Sequence, residues 1–235
     1  MERRMWYLLG TRLNNGEVTM NTEMIAKTEV FLKDTFAASS YLQANPTDRD
    51  YRLEHSYRVA NIAKAIAEAE GFDVTNAVIA GLLHDIAYCE EMVTREDRMN
   101  HGRRSAAIAR PFLESLGLSA DAVNEICYGI AIHVDDEADF PWERTPFCET
   151  VGDADNIDRF DVYRIYESLQ WMQFSEMPLA QKQSQVDSIM EKLTRYKEMK
   201  LGTETAKKLW IERLDYQLGF YDRMKAQLDS SSAVL

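Results

Sequence analysis

Apolar residues recur at three- and four-residue spacing along most of this chain, and no stretch of useful length alternates as a strand does. That pattern points to the all-α class. Ile25, Phe31, Leu32, Thr35 and Phe36 share one face of a first helix, which fades by Gln43. Asn45-Pro46-Thr47-Asp48 reads as a turn. A second helix is predicted over about 51–69, with Val59, Ile62, Ala63, Ile66 and Ala67 inward and Gly71 as its stop. A third covers about 74–89. A fourth, capped at Asn100 or a neighbour, ends near Gly117. Ser119 caps a fifth, Ala120 to His133. A sixth begins near Phe147, and two amphipathic stretches, 179–199 and 204–228, finish the chain.

No Gly/Ser linker divides the 235 residues, a length that suits one large domain. The expected organisation is a loose leader over residues 1–20 and a single helical domain over 21–235. The last two helices either make a surface for a homodimer or pack within the chain, and the sequence leaves both open. The formal net charge of -12 argues against nonspecific nucleic-acid binding, because an acidic surface repels phosphate backbones. It does not exclude a small anionic substrate, since bound cations reverse the field locally. The three cysteines, Cys89, Cys127 and Cys148, are odd in number and form no C-x-x-C pair. They read as core filling in a reducing compartment rather than as a disulfide framework. No apolar run approaches the ~18–20 residues of a membrane span. Trp6-Tyr7-Leu8-Leu9 is too short for a signal-peptide core, so the expected location is cytoplasmic.

The chemistry concentrates in four histidines. His55 stands near the start of the second predicted helix, and His84 is followed directly by Asp85 at the polar end of the buried run Ile79-Ala80-Gly81-Leu82-Leu83. His101 opens the fourth predicted helix, and His133 closes the fifth. Each is placed where helices can converge. Imidazoles and carboxylates are the donors that suit divalent iron, manganese, zinc or nickel. On a continuous helix Asp85 projects about 100° from His84, so the pair reaches two ions, or one ion from two directions. Two polar groups ending an apolar face need such a partner in a dry interior.

The set His55 with trailing Arg58-Val59-Ala60, then His84-Asp85-Ile86, then Asp155 within Asp153-Ala154-Asp155-Asn156-Ile157-Asp158, resembles the HD superfamily of metal-dependent phosphohydrolases. All four positions of the H…HD…D pattern are filled, and the likeness covers roughly residues 50–165. His101 and His133 resemble the two further histidines of the family's dinuclear branch. The resemblance implies an HD-domain helical bundle with a metal-binding core at about 50–165 and a C-terminal helical extension at about 166–228. It implies one or two divalent ions per chain (Fe, Mn, Ni, Mg or Zn). His55, His84 and Asp155 would hold one ion and His101 and His133 the other, with Asp85 bridging. Ala87 and Tyr88 stand where many dinuclear relatives carry Gly and a basic residue, so that basic residue's role does not carry over.

The activity implied is hydrolysis of a nucleotide or other small phosphate ester. Bound metal activates water and polarises phosphoryl oxygens. Asp85 positions the attacking group, and arginines neutralise equatorial charge, with Arg58, Arg103, Arg104 and Arg159 as candidate phosphate contacts and Arg58 and Arg104 preferred among them. A branch of the same superfamily uses the same four-His, two-Asp set for a mixed-valent di-iron oxygenase that cleaves C–P or C–C bonds. The ligand pattern does not separate the two activities.

Overall fold

The computed structural model describes residues 15–232, and among them it contains ten α-helices and no strand. They are α1 (Asn15–Ala38), α2 (Ser40–Ala44), α3 (Pro46–Glu70), α4 (Val74–Leu83), α5 (Arg95–Ser115), α6 (Ala120–Ile132), α7 (Pro146–Arg159), α8 (Val162–Trp171), α9 (Leu179–Tyr196) and α10 (Glu204–Asp229). No helix among the described residues is long and apolar enough to cross a membrane. The all-helical expectation holds. Helix α1 begins at Asn15, inside the stretch expected to be a loose leader, while residues 1–14 lie outside the described residues.

Local chemistry accounts for where the helices differ from the sequence reading. The first predicted helix is two, because the Ser39 hydroxyl accepts from the Leu42 amide at 3.1 Å and starts α2 afresh. The expected turn at 45–48 is the first turn of α3, with Pro46 at the position where a missing N–H costs nothing. Helix α5 starts five residues before Asn100. Thr94 and Asp97 form a reciprocal capping box there, so His101 lies in the second turn rather than at the mouth. Helix α8 is not expected from the sequence: its core face is short, Ile165 with Leu169 one turn on, while Val162, Tyr163, Tyr166 and Trp171 are exposed.

The third predicted helix ends early, at Leu83, and a short 3-10 helix follows at Ile86–Cys89. His84 and Asp85 therefore occupy a turn, not a continuous helix. The 100° projection between them does not apply.

Two glycines set the close packing on which the site depends. A Cβ on Gly81 of α4 would lie 2.6 Å from the Ala60 Cα of α3. One on Gly102 of α5 would lie 2.5 Å from the Ala131 carbonyl oxygen of α6. Each glycine lets two backbones touch within three residues of a histidine. Helix α7 packs on α3 and α6, and α10 packs on α7 and α9. Trp210 of α10 is fully buried, edge-on to Phe160 with centroids 4.9 Å apart, and its indole N–H donates to the Tyr196 carbonyl at 2.9 Å. Leu32, Ile66, Leu83, Ile157 and Trp210 belong to one continuous apolar cluster. The three cysteines are free thiols.

Candidate metal centre

The four histidines come from α3 (His55), the C-terminal end of α4 (His84), α5 (His101) and the C-terminal end of α6 (His133). In three of them Nδ1 faces a carbonyl three residues back. The distances are 2.8 Å from His84 to Gly81, 2.6 Å from His101 to Arg98 and 2.6 Å from His133 to Ile130. A carbonyl only accepts, so each Nδ1 carries the proton and donates it. At the ends of α4 and α6 the accepting carbonyls belong to the last turn, which lacks intrahelical partners. The Nδ1 of His55 lies 2.7 Å from the Asp158 carboxylate, which also accepts from Arg58 Nε at 2.7 Å.

With every Nδ1 engaged outward, the four Nε2 atoms turn inward. His55 Nε2 and His84 Nε2 are 3.2 Å apart, and His101 Nε2 and His133 Nε2 are 3.1 Å apart. Two imidazole lone pairs at that distance repel unless a proton or a cation lies between them. Asp85 sits across both pairs. Its Oδ1 is 3.0 Å from His101 Nε2 and 3.6 Å from His133 Nε2, and its Oδ2 is 3.6 Å from the Nε2 of His55 and of His84. Asp155 Oδ1 completes the first pair at 3.1 Å from His55 Nε2. Donor atoms of His55, His84 and Asp155 lie within 4.8 Å of one another, as do those of His84, Asp85 and His133. All six residues of the expected set thus meet in one cluster. His101 and Asp155 reach slightly toward solvent, and the other four are more deeply buried.

The electrostatics fit a cation site. Burial disfavours charge on His55, but the Asp155 and Asp158 carboxylates outweigh it and push the ring up to about 9. Burial without a comparable partner pushes His84 down to about 4. Asp85 and Asp155 are held below the usual carboxylate range despite their burial. His84, His101, His133 and Arg52 do this for Asp85, and His55 and Arg159 for Asp155. Carboxylates kept ionised beside imidazoles, with a His55 proton that a divalent ion would displace, are a donor set for such an ion. The outward Nδ1 contacts are the partners that orient metal-binding imidazoles.

A cavity of about 720 Å³ opens over the cluster. Its wall includes Arg52, Arg98, Arg144, Arg159, Arg164 and Lys200 set among Asp85, Asp136, Glu149, Asp153 and Asp155, six basic side chains to five acidic ones on a chain whose net charge is -12. Arg52 donates to Asp85 Oδ2 at 2.9 Å, and Arg159 Nη1 lies 3.5 Å from Asp155 Oδ2. Of the arginines weighed from sequence, Arg159 lines the cavity, while Arg58 and Arg104 are placed otherwise. Arg58 does not line the cavity. It donates to Asp158 and so braces His55 from behind. Arg104 is half exposed and paired with Glu90, away from the cavity, so its expected phosphate contact is not formed. The acidic loop after His133 folds back on Arg103 and Arg144, through Asp135 at 2.9 Å and Asp136 at 2.5 Å.

Arg52 was legible in principle, three residues before His55 on the same face of α3. Arg98 has the same offset from His101. Lys200 was not legible, because it arrives from the loop between α9 and α10. The Gly202 amide donates to the buried Asp153 carboxylate at 2.8 Å and fixes that loop. Burial pushes the Asp153 carboxyl up to about 7.

Comparison with known proteins agrees with this geometry. Residues 52–163 match the family model described as the HD domain. No curated protein matches the chain. Two solved structures share the fold. A predicted HD superfamily hydrolase from an uncultured Thermotogales bacterium is 21% identical, with 92% of this chain and 99% of that one covered and a TM-score of 0.59. Bacillus subtilis YpgQ, solved in complex with ADP, is 15% identical, with 88% and 96% covered and a TM-score of 0.55. The chain carries an HD domain over residues 52–163, and its fold is shared with these two solved structures.

Proposed function

We propose that the chain is a metal-dependent phosphohydrolase acting on a nucleotide or another small phosphate ester. The observation that carries this reading is the six inward-facing donors at the floor of a cavity that gathers six basic side chains on an otherwise acidic molecule, with five acidic ones among them. A phosphate group needs such local positive charge to approach. The ADP bound by Bacillus subtilis YpgQ is a ligand of the same kind.

His55, His84 and Asp155 would hold one divalent ion, and His101 and His133 a second, with Asp85 between them. Bound ions of this type supply Lewis acidity and a nucleophilic water at neutral pH. The protein's own groups do the rest. Arg52 holds Asp85 ionised and oriented through its bond to Oδ2. Asp158 and Arg58 fix the ring of His55. Arg159 and Arg164, on the cavity wall, meet the equatorial oxygens of a transferring phosphoryl group and offset its charge.

The test is phosphate release from a panel of nucleotides and sugar phosphates, with Mg, Mn, Fe, Ni or Zn supplied in turn. The expected result is metal-dependent release that is lost in Asp85→Ala, together with about two ions per chain in protein purified without chelator. No release with any metal, with oxygen uptake by iron-loaded protein, would replace this reading with the di-iron oxygenase.

A further inference from the structure

A second cavity, of about 480 Å³, lies between α7, α8, α9 and α10. It adjoins the first. Asn156, Arg159, Arg164 and Met199 line both. Most of its wall comes from residues 168–221, beyond the segment that matches the HD family model. We infer that this recess is the compartment for the organic group of the substrate, and that the group is a planar ring with polar edges. The inference rests on the phosphate-ester reading and adds a substrate shape to it.

Three observations support it. The inner wall is apolar and aromatic, formed by Phe160, Tyr196, Ile189 and Leu193, which suits a flat ring. Ser168 and Ser188, beside Gln185 whose side-chain amide donates to Met172 Sδ at 3.2 Å, edge the same space and offer hydroxyls to polar atoms at the edge of a ring. Trp171 stands at the rim with 86% of its surface exposed, the largest exposure of any big apolar side chain described. An indole so placed gains contact when a ring stacks on it.

Arg164 joins the two compartments. One Nη1 donates to the Tyr51 hydroxyl at 2.6 Å and to Glu167 at 2.8 Å. Its Nε is buried and has no hydrogen-bond partner among the described residues. A buried donor left unmet is costly, and an acceptor on a ligand crossing from the metal cluster into the recess would meet it. Phosphate on Arg159 and a ring beyond Arg164 is therefore the arrangement that uses the cations at the junction.

The experiment is calorimetric titration of the metal-loaded full chain with α,β-methylene-ADP and, as the ring-free probe, methylenediphosphonate. The nucleotide analogue is expected to bind at least about tenfold more tightly than the diphosphonate. Trp171→Ala and Ser188→Trp alter the rim and the interior of the recess at exposed positions, so neither disturbs the core. Each is expected to remove most of that preference and leave diphosphonate affinity unchanged. Equal affinity for the two probes, or a preference untouched by both variants, would overturn the inference. So would an equal loss for both probes in Ser188→Trp, which would assign the recess to the phosphate. Failure of both probes to bind would overturn it together with the anion site. Hydrolysis is not read here, so loss of the phosphohydrolase reading leaves a distinct signature: ring-dependent binding without phosphate release.

Discussion

Arg52 holds Asp85: its Nη1 lies 2.9 Å from Oδ2, and its guanidinium packs 3.3 Å from the centre of the Tyr88 ring. The arginine is thereby fixed from two sides, by charge below and by an aromatic face beside it. It neutralises the carboxylate that lies between both histidine pairs. Arg52→Ala is expected to lower phosphate release by about ten- to a hundredfold, the usual cost of losing a group that orients a metal ligand. Arg104→Ala, whose guanidinium is spent on Glu90 outside the cavity, is expected to stay within about twofold of the parent, as suits a surface pair. Steady-state assays of the two variants side by side check both statements.

Asp158 is gripped by Arg58 and grips His55 in turn. Arg58→Ala leaves a buried carboxylate short of its cation while touching nothing in the cavity. The expected outcome is a folded protein with metal affinity about ten- to a hundredfold weaker. Arg58→Lys should recover only part of this loss, because an ammonium cannot reproduce the two-pronged contact. Competitive metal titration against a chelating dye reads the effect without reference to substrate.

Gly81→Ala tests the packing that brings His55 and His84 together. The added methyl would sit 2.6 Å from backbone of α3, where no flexible side chain can yield. Overpacking of this kind costs about 1–3 kcal/mol. The midpoint of thermal unfolding should fall by several degrees, about 2–4 °C for each kcal/mol in a chain of this size. Metal content should fall as well, since the two rings are carried on the separated helices.

Burial pushes the Cys127 thiol up to about 11, from an ordinary value of 9.0. Between those values the unfolded thiol has released its proton and the folded one has not. The unfolded state then binds fewer protons, so this group makes stability fall as pH rises from about 9 toward 11 and leaves it flat below. Cys127→Ala should remove that part of the slope, whatever it does to absolute stability. Denaturant midpoints at pH 8, 9, 10 and 11 supply the comparison. A slope identical in the variant would show that the thiol is not the source.

The helices and the six donors could be read from the sequence because both depend on local pattern. Apolar periodicity placed α3, α6, α7, α9 and α10 to within a few residues, and the order His55, His84-Asp85, Asp155 carried the family likeness. What escaped was set by tertiary contact. The break at Leu83 is invisible in hydrophobicity, since Ile86 and Ala87 continue the apolar pattern and are fully buried. Helix α8 buries Ile165 and packs Leu169 on the core, but Val162, Tyr163, Tyr166 and Trp171 on its other faces are exposed and mask that short stripe in the sequence. The cavity cations come from α3, α5, α7, α8 and two loops, and only the folded chain brings them together. Arg58 and Arg104 fit a phosphate-binding role by spacing alone. Asp158 and Glu90, their actual partners, lie 100 and 14 residues away.

The contact between His55 and Asp158 spans 103 residues of sequence, nearly the whole segment that matches the HD family model. A cation gripped by His55, Asp85 and Asp155 would close loops of 30 and 70 residues. It would therefore act as a reversible cross-link, removing conformations from the unfolded ensemble as a disulfide does in proteins that contain one. The three cysteines here are free, so no covalent bond among them does that work. Binding and folding would then be two readings of one equilibrium, and the helices α3 and α7 that carry the outermost donors would gain the most protection from it.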